Sequence, residues 1–136
     1  MTERSLLVDI MPWIYDYHCT NETCGLSGPS GRGYYMYAEA DDGERITCPH
    51  PGEQAKAREV IGEDATEEEM DNRTGFNYHC VCIDCVEQFD RDPQRDQLRC
   101  PNCGSTAIEL LVELVGHPCP KCGDGDFIAE DTGAIA

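Results

Sequence analysis

The fold of this chain is indicated most clearly by two short segments, Cys82-Ile83-Asp84-Cys85 and Cys100-Pro101-Asn102-Cys103-Gly104. Together they give the spacing Cys-x2-Cys-x14-Cys-x2-Cys. A Cys-x-x-Cys turn puts two thiolates on one side of a tight loop, and two such turns at this separation complete a tetrahedral zinc site. Gly104 allows the backbone to turn N–H groups toward the sulfurs. The spacing therefore predicts a zinc ribbon whose ligands are Cys82, Cys85, Cys100 and Cys103.

A third turn, Cys119-Pro120-Lys121-Cys122-Gly123, leaves two ways of pairing the turns, because its x15 separation from Cys103 is equally suitable. In the first, the middle turn pairs with Cys82 and Cys85, and the third turn needs partners from elsewhere, such as Cys80 with His79 or His117. In the second, the middle and third turns form the ribbon. The segment from Cys80 to Cys85 then completes a site with the N-terminal half. We prefer the first, because an internal repeat supports it.

The repeat relates the two halves of the chain. The segment Tyr15-Asp16-Tyr17-His18-Cys19 matches Phe76-Asn77-Tyr78-His79-Cys80, and each copy has another cysteine after four intervening residues. Downstream, residues 46–50 parallel residues 98–102. The repeat makes Cys80 a rival of Cys82 as a ligand, and His18 and His79 are expected to be strand residues. It also predicts an N-terminal metal site formed by Cys19, Cys24, Cys48 and His50.

These patterns predict a small, metal-stabilised and mainly β protein made of tandem zinc ribbons with rubredoxin-like turns. The expected domains are an N-terminal ribbon at 1–51, an acidic helical linker at 52–74 and a C-terminal ribbon with an extra Cys-Pro-x-Cys-Gly turn at 75–136. Aromatic runs at 13–18 and 33–38 and the segment 125–128 favour strands.

Two segments of this scheme are helical candidates. Helix formers fill 52–61 before Gly62, and Thr66 and Glu69 fit a capping box, although the acidic run 67–69 also suits a solvated linker. The segment 106–115 fits either a strand or a helix.

The charge of the chain is strongly acidic, with 27 Asp and Glu against 10 Lys and Arg and a net charge of −17. This composition indicates either life in high salt, where screening tolerates self-repulsion, or a basic partner. We favour a halophilic source. Phosphate binding needs clustered Lys and Arg, so a nucleic-acid partner is disfavoured unless the source is halophilic.

The cysteines are expected to be reduced, because the first ten residues have mixed charge and too short an apolar run for a signal peptide. No stretch is long and apolar enough to span a membrane. We therefore expect a cytoplasmic location, or a viral particle assembled there. The reduced cysteines are expected to bind two or three Zn²⁺ ions. Iron is the alternative metal, because Cys-Pro-x-Cys-Gly turns also occur in rubredoxins.

A family resemblance accompanies these motifs. The segment Met11-Pro12-Trp13-Ile14-Tyr15-Asp16-Tyr17-His18-Cys19, followed by Cys24-Gly25, resembles the opening of the small FmdB-type zinc ribbons, a family described as regulatory. The second half, with Tyr78, Cys82, Cys85, Phe89 and Cys100–Ser105, is similar to the same pattern. The chain differs in its wider first turn, in His50 at a cysteine position and in its third turn. The resemblance implies a zinc-ribbon fold and little about function.

The function expected from the sequence is that of a non-enzymatic zinc-binding adaptor in a larger assembly, such as a multisubunit enzyme, a transcription or ribosome complex, or a viral particle. Its aromatic strand with Tyr34, Tyr35 and Tyr37 could suit docking. The sequence has no phosphate-binding loop, nucleophile elbow or HExxH motif. The alternatives are a nucleic-acid-binding or transcription-regulating zinc ribbon and a rubredoxin-like iron electron carrier.

Overall fold

The computed structural model describes residues 13–135, and the contacts within this range divide it into two compact units. The first unit combines residues 13–33 with residues 78–135, and the second consists of residues 34–77. The expected domain at 1–51 is therefore divided at residue 33, and the expected boundary at residue 75 lies three residues before the observed one. The reason is that strand β1 pairs with the last strand of the chain, β7, and not with the strand that follows it in sequence.

Two antiparallel strands from opposite ends of the chain form one sheet of the first unit. Strand β1 (Trp13–Cys19) pairs with β7 (Phe127–Ile135), and Cys19 lies opposite Phe127. The strands expected near 13–18 and 125–128 are both present, and the second is longer than predicted. This pairing brings the first and third cysteine turns to the same end of the sheet.

The other strands of the first unit surround the C-terminal half of β4 (Thr74–Cys82). Strands β5 (Gln88–Arg91) and β6 (Ile108–Leu110) both pair with it in antiparallel fashion, so that Cys80 lies opposite Phe89 on one side and Leu110 on the other. The ambiguous segment 106–115 is both strand and helix, because β6 runs directly into the single-turn helix α3 (Leu111–Leu114). The turn buries Leu111 and Leu114 on one face, which the i,i+3 spacing allows.

The core of the first unit lies between these two sets of strands. Tyr17 and Phe127 stack with ring centroids 6.5 Å apart, and Val81 and Leu111 pack in the same cluster. Burying each such side chain contributes roughly 1.5–3 kcal/mol. Two candidate metal ligands, Cys19 and Cys119, also belong to this apolar cluster. The core of the first unit therefore packs directly against these two cysteines.

The second unit has its own small core. Strands β2 (Tyr34–Glu39) and β3 (Arg45–Cys48) form a hairpin, and helices α1 (Glu53–Ile61) and α2 (Glu67–Arg73) follow. The segment 52–74 thus contains two helices, as expected, but it is part of a folded unit rather than a linker. Its buried residues Ala57 and Met70 pack with residues of the hairpin (Met36, Ala38 and Cys48).

The aromatic strand expected to dock a partner is β2, and its central residue is not available for docking. Tyr37 is fully buried, and the Arg45 guanidinium lies 4.5 Å from its ring centroid. Tyr34 is half-buried and contacts the edge of the Phe76 ring. Alternation along the strand sends Tyr34 to the opposite face from Tyr35 and Tyr37, so the three tyrosines cannot form one surface.

Thr66 is the N-cap of α2 as predicted, and the Glu69 carboxylate reaches back to accept a hydrogen bond from the Thr66 hydroxyl at 3.3 Å. The Thr66 hydroxyl oxygen accepts a hydrogen bond from the Glu69 amide at 3.1 Å. We expect Thr66→Ala to cost about 1 kcal/mol, which lowers the hydrogen-exchange protection of the α2 amides about fivefold. Exchange measured by NMR checks this, with Thr66→Ser, which keeps the cap, as the control. Equal protection in all three proteins would contradict the cap.

Within residues 13–135, no helix has the length and apolar character needed to cross a membrane. The N-terminal residues 1–12, on which the cytoplasmic expectation depends and with which the FmdB resemblance begins, lie outside the described residues.

Candidate metal centres

Eight of the ten cysteines meet in two clusters of four. The terminal cluster contains Cys19, Cys24, Cys119 and Cys122, and the inner cluster contains Cys82, Cys85, Cys100 and Cys103. Within each cluster all four sulfurs lie within 4.8 Å of one another. All ten cysteines are free thiols, so the clusters are not disulfide pairs.

The sulfur separations fit one metal ion per cluster. In the terminal cluster the Cys19–Cys122 and Cys24–Cys119 sulfurs are each 3.7 Å apart. In the inner cluster the Cys82–Cys103 and Cys85–Cys100 sulfurs are 3.5 and 3.6 Å apart. A tetrahedron with metal–sulfur bonds of about 2.3 Å has sulfur–sulfur edges of about 3.8 Å. Each cluster therefore matches a tetrahedral four-thiolate site.

A shared backbone turn builds three of the four cysteine pairs. The N–H groups of Val86, Gly104 and Gly123 donate to the carbonyl oxygens of Cys82, Cys100 and Cys119 at 2.8–2.9 Å. The residue after the second cysteine has a left-handed conformation in every turn, with φ between 64° and 78°. Glycine supplies this conformation in three turns, at residues 25, 104 and 123, whereas the inner cluster uses the β-branched Val86, for which it is strained.

The inner cluster has the four residues that the Cys-x2-Cys-x14-Cys-x2-Cys spacing indicates. Cys82 occupies the position for which Cys80 was the rival. The middle turn thus lies with the first turn of the C-terminal half, as in the preferred pairing. The third turn does not use Cys80, His79 or His117 as partners.

The terminal cluster corrects the expected N-terminal site. Cys19 and Cys24 lie with Cys119 and Cys122, not with Cys48 and His50. The cause is the β1–β7 pairing, which carries Cys19 to the end of the sheet where the third turn begins. The Lys121 ammonium group also donates to the Cys24 carbonyl at 2.9 Å, linking the two turns.

The remaining predicted ligands lie in ordinary structural positions. Cys48 is buried in the core of the second unit. His50 Nδ1 lies 2.9 Å from Glu53 Oε2. Cys80 is buried, and its sulfur lies 3.4 Å from the Tyr78 carbonyl oxygen. Burial raises the pKa of Cys80 to about 11, so this thiol stays protonated near neutral pH. None of the three belongs to a metal cluster among the described residues.

The two strand histidines lie within hydrogen-bond distance of carboxylates on neighbouring strands. His18 Nε2 lies 3.0 Å from Glu130, and His79 Nδ1 lies 2.5 Å from Asp90. These positions agree with the expectation that both are strand residues rather than ligands.

Replacing the two cysteines outside the clusters tests this division. We expect Cys48→Ala/Cys80→Ala to bind as much metal per chain as the unmodified protein, because neither sulfur lies in a cluster. Elemental mass spectrometry on the purified variant measures this. If the metal content falls while circular dichroism shows that the fold is retained, one of these two cysteines is a metal ligand.

Two asparagines, not predicted from the sequence, support the clusters. Asn21 and Asn102 each lie two residues after a first ligand, in the pattern Cys-x-Asn. Their amides donate to Cys19 and Cys100 at 3.4 Å. Their side-chain nitrogens reach across to the opposite turn, at 3.8 Å from Cys122 and 3.4 Å from Cys85. The Cys-x-Asn pattern that both asparagines share is the feature by which the sequence could have identified them.

These hydrogen bonds favour the thiolate form of selected ligands. The Asn102 side chain lowers the pKa of Cys85 to about 7, and the Gly125 amide, with that of Asp124, lowers the pKa of Cys122 to about 6. Burial instead raises the pKa of Cys19 to about 12. Four like charges this close repel one another, so a divalent cation is needed for all four sulfurs to be ionised together.

Asn102→Ala is expected to lower metal affinity at the inner cluster about 10- to 100-fold, the usual cost of losing a hydrogen bond to a ligand. Competition with a chromogenic chelator measures the affinity, and Asn72→Ala, an exposed asparagine in α2, serves as the control. An unchanged affinity in Asn102→Ala would show that the contact with Cys85 does not stabilise the thiolate.

The space around the terminal cluster is also restricted by Gly125. A Cβ atom at this position would lie 2.8 Å from the Cys19 sulfur and 2.8 Å from the Asn21 amide nitrogen. Any larger residue would displace a ligand or its hydrogen-bond donor.

Chemically, each cluster can hold a metal ion with four protein ligands and no position open for water or substrate, which is the arrangement of structural rather than catalytic zinc. Comparison of the chain with protein-family models, with curated proteins and with solved structures gives no significant match.

Proposed function

We propose that this chain is a non-enzymatic zinc-binding adaptor, a small structural subunit of a larger assembly. The observation that carries the proposal is the geometry of the two clusters, in which four thiolates surround one position at tetrahedral spacing. A closed four-thiolate site contributes folding energy and offers no reaction centre. What such a site provides is a rigid protein surface around it.

The proposal includes the zinc-ribbon fold. The inner ribbon is continuous in sequence, from Cys82 to Cys103. The terminal ribbon is discontinuous, with one turn following β1 and the other preceding β7. The FmdB resemblance supports the inner ribbon and the first turn, and the chain departs from that family by completing the first turn with the third. Zinc is the proposed metal because it accepts four thiolates in tetrahedral geometry.

A nucleic-acid partner is less well supported than a protein partner. The net charge is −17, and arginines of the second unit are engaged by neighbouring acidic groups. Arg58 pairs with Glu67 at 3.1 Å, and Arg73 pairs with Asp41 at 3.0 Å. Binding to phosphates depends on free, clustered cations.

One observation favours iron electron transfer as the second candidate. Cys103 is exposed to solvent while the other three inner ligands are buried or half-buried, and an exposed ligand gives electrons a short path to a partner. The N–H···S hydrogen bonds of Asn21 and Asn102 are also of the kind that tunes iron–sulfur potentials. Zinc is colourless, whereas a ferric four-thiolate centre absorbs visible light, so the spectrum of natively purified protein separates the two.

The adaptor role is tested by tagging the chain at its chromosomal locus and sizing it in gentle extracts at the salt concentration of its source. We expect it to elute with one or more other chains in fixed stoichiometry, well above its own mass of 15.1 kDa. Elution of all the protein as a lone chain would contradict the adaptor role.

A further inference from the structure

The first unit has a surface groove beside the first turn of the inner cluster. It is lined by Ile83, Glu109, Glu113, Leu114 and His117 and has a volume of about 520 Å³. Ile83 belongs to the first turn of the inner cluster, and His117 precedes the third turn by two residues. With metal bound at both clusters, the backbone near the groove would be held in shape before any partner arrives, which would reduce the ordering cost of binding.

The floor of the groove is apolar. Ile83 is 36% exposed and is one of three large hydrophobic residues that remain exposed in the described part of the chain. Its amide donates to the Ala107 carbonyl at 2.8 Å, which fixes its position. Leu114, 7% exposed, continues the floor into the core. These side chains would be covered by an apolar group of similar size.

The rim of the groove is acidic. Glu109 and Glu113 are exposed, and neither makes an ion pair or side-chain hydrogen bond with another residue in the range 13–135. Among the residues that the structure describes, no lysine or arginine lines the groove. Two carboxylates that are not neutralised, above an apolar floor, are complementary to a cation beside an apolar side chain.

From this complementarity we propose that the groove binds a protein segment of the partner in which a lysine or arginine adjoins an aliphatic or aromatic residue. The apolar side chain would cover Ile83 and Leu114, and the cation would lie between the two glutamates. This inference rests on the proposed adaptor function and names the surface and the chemistry of its contact.

Charge reversal on the natively tagged protein tests the proposal. Glu109→Lys/Glu113→Lys changes the rim, and Glu68→Lys/Glu87→Lys makes the same change in charge at exposed sites outside the groove. We expect the first variant to recover at least about tenfold less partner, because like charges then face each other. The control should recover normal amounts, and both variants should retain their full metal content.

A photoreactive benzoylphenylalanine in place of His117 identifies the contacted segment. We expect it to label a partner peptide with a basic residue next to an apolar one. Full partner recovery by the charge-reversal variant, or labelling of nucleic acid or of a segment without basic residues, would overturn the groove proposal while leaving the adaptor role intact. A wild-type chain that elutes alone would overturn both.

Discussion

Cys119→Ser is expected to lose one metal ion and to release the β1–β7 sheet while the inner cluster keeps its metal. The reason is the length of chain that the terminal cluster closes. Cys24 and Cys119 are 95 residues apart, whereas Cys85 and Cys100 are 15 apart. In the chain-entropy estimate, a cross-link over the longer loop contributes about 4.7 kcal/mol and one over the shorter loop about 3 kcal/mol.

The β1–β7 sheet is expected to be unstable without the metal cross-link of the terminal cluster. Within residues 13–135 it consists of two strands, β1 and β7, and a two-stranded sheet depends on packing or a cross-link for its stability in water. We therefore expect the amides of residues 14–19 and 127–131 to lose their protection from exchange in Cys119→Ser.

The measurement combines elemental analysis with hydrogen exchange. Cys19→Ser and Cys122→Ser should behave like Cys119→Ser, because all three remove a ligand from the same cluster. Cys48→Ala is the control and should retain both the metal and the protection. If Cys119→Ser keeps its full metal content, or if its metal loss destroys protection only around residues 82–103, the assignment of the terminal cluster is wrong.

Acidification is expected to release the metal from both clusters. Metal ligands must be thiolates, so protons compete with the metal for every site. Relative to the ordinary thiol value of 9.0, the pKa of Cys122 is lowered to about 6 and that of Cys85 to about 7.

The direction follows from these lowered values. A group whose pKa is lower in the folded chain stabilises the fold above its ordinary pKa, and this contribution is lost as the pH falls through the lowered value. Below pH 6 even the most acidic thiol of each cluster is protonated in the absence of metal, so competition becomes strongest there. Metal binding lowers these values further and keeps the sites filled near neutrality.

Stepwise titration with a colorimetric metal indicator follows the release, and far-ultraviolet circular dichroism follows the fold. Stability and metal content should fall together as the pH is lowered. Retention of both metals at pH 4, or release while the pH is raised from 7 to 9, would contradict a four-thiolate mode of binding.

The inner cluster could be predicted from the sequence because its information is local. The two turns that build it are separated by 14 residues, and the spacing alone brings four sulfurs together. The capping box at Thr66 and the strands near 13–18 and 33–38 were also local signals. In each case the residues that interact are close in sequence.

The terminal cluster could not be predicted because its two turns are joined only by tertiary pairing. Nothing in residues 15–24 specifies that β1 will pair with β7. The internal repeat was misleading for a structural reason. It aligned Cys19 with Cys80, but Cys19 ends β1 and Cys82 ends β4, so the repeat was shifted by two residues. As a result, Cys48 was predicted to be a metal ligand, whereas in the structure it lies in the core of the second unit.

The helices at 53–61 and 67–73 illustrate a second limit. Propensity and caps predicted their existence, but their packing depends on two buried side chains, Ala57 and Met70. A polar helix with one small buried residue has little hydrophobic periodicity, so its sequence resembles that of a linker.

The most direct test of the central claim is the number of metal ions per chain in natively purified protein, measured by elemental mass spectrometry against sulfur as an internal standard. We predict two zinc ions per chain, both released with eight titratable thiols from the two clusters. Three ions would place Cys48 or Cys80 in a further site, and a single ion would show that one of the two clusters does not bind metal.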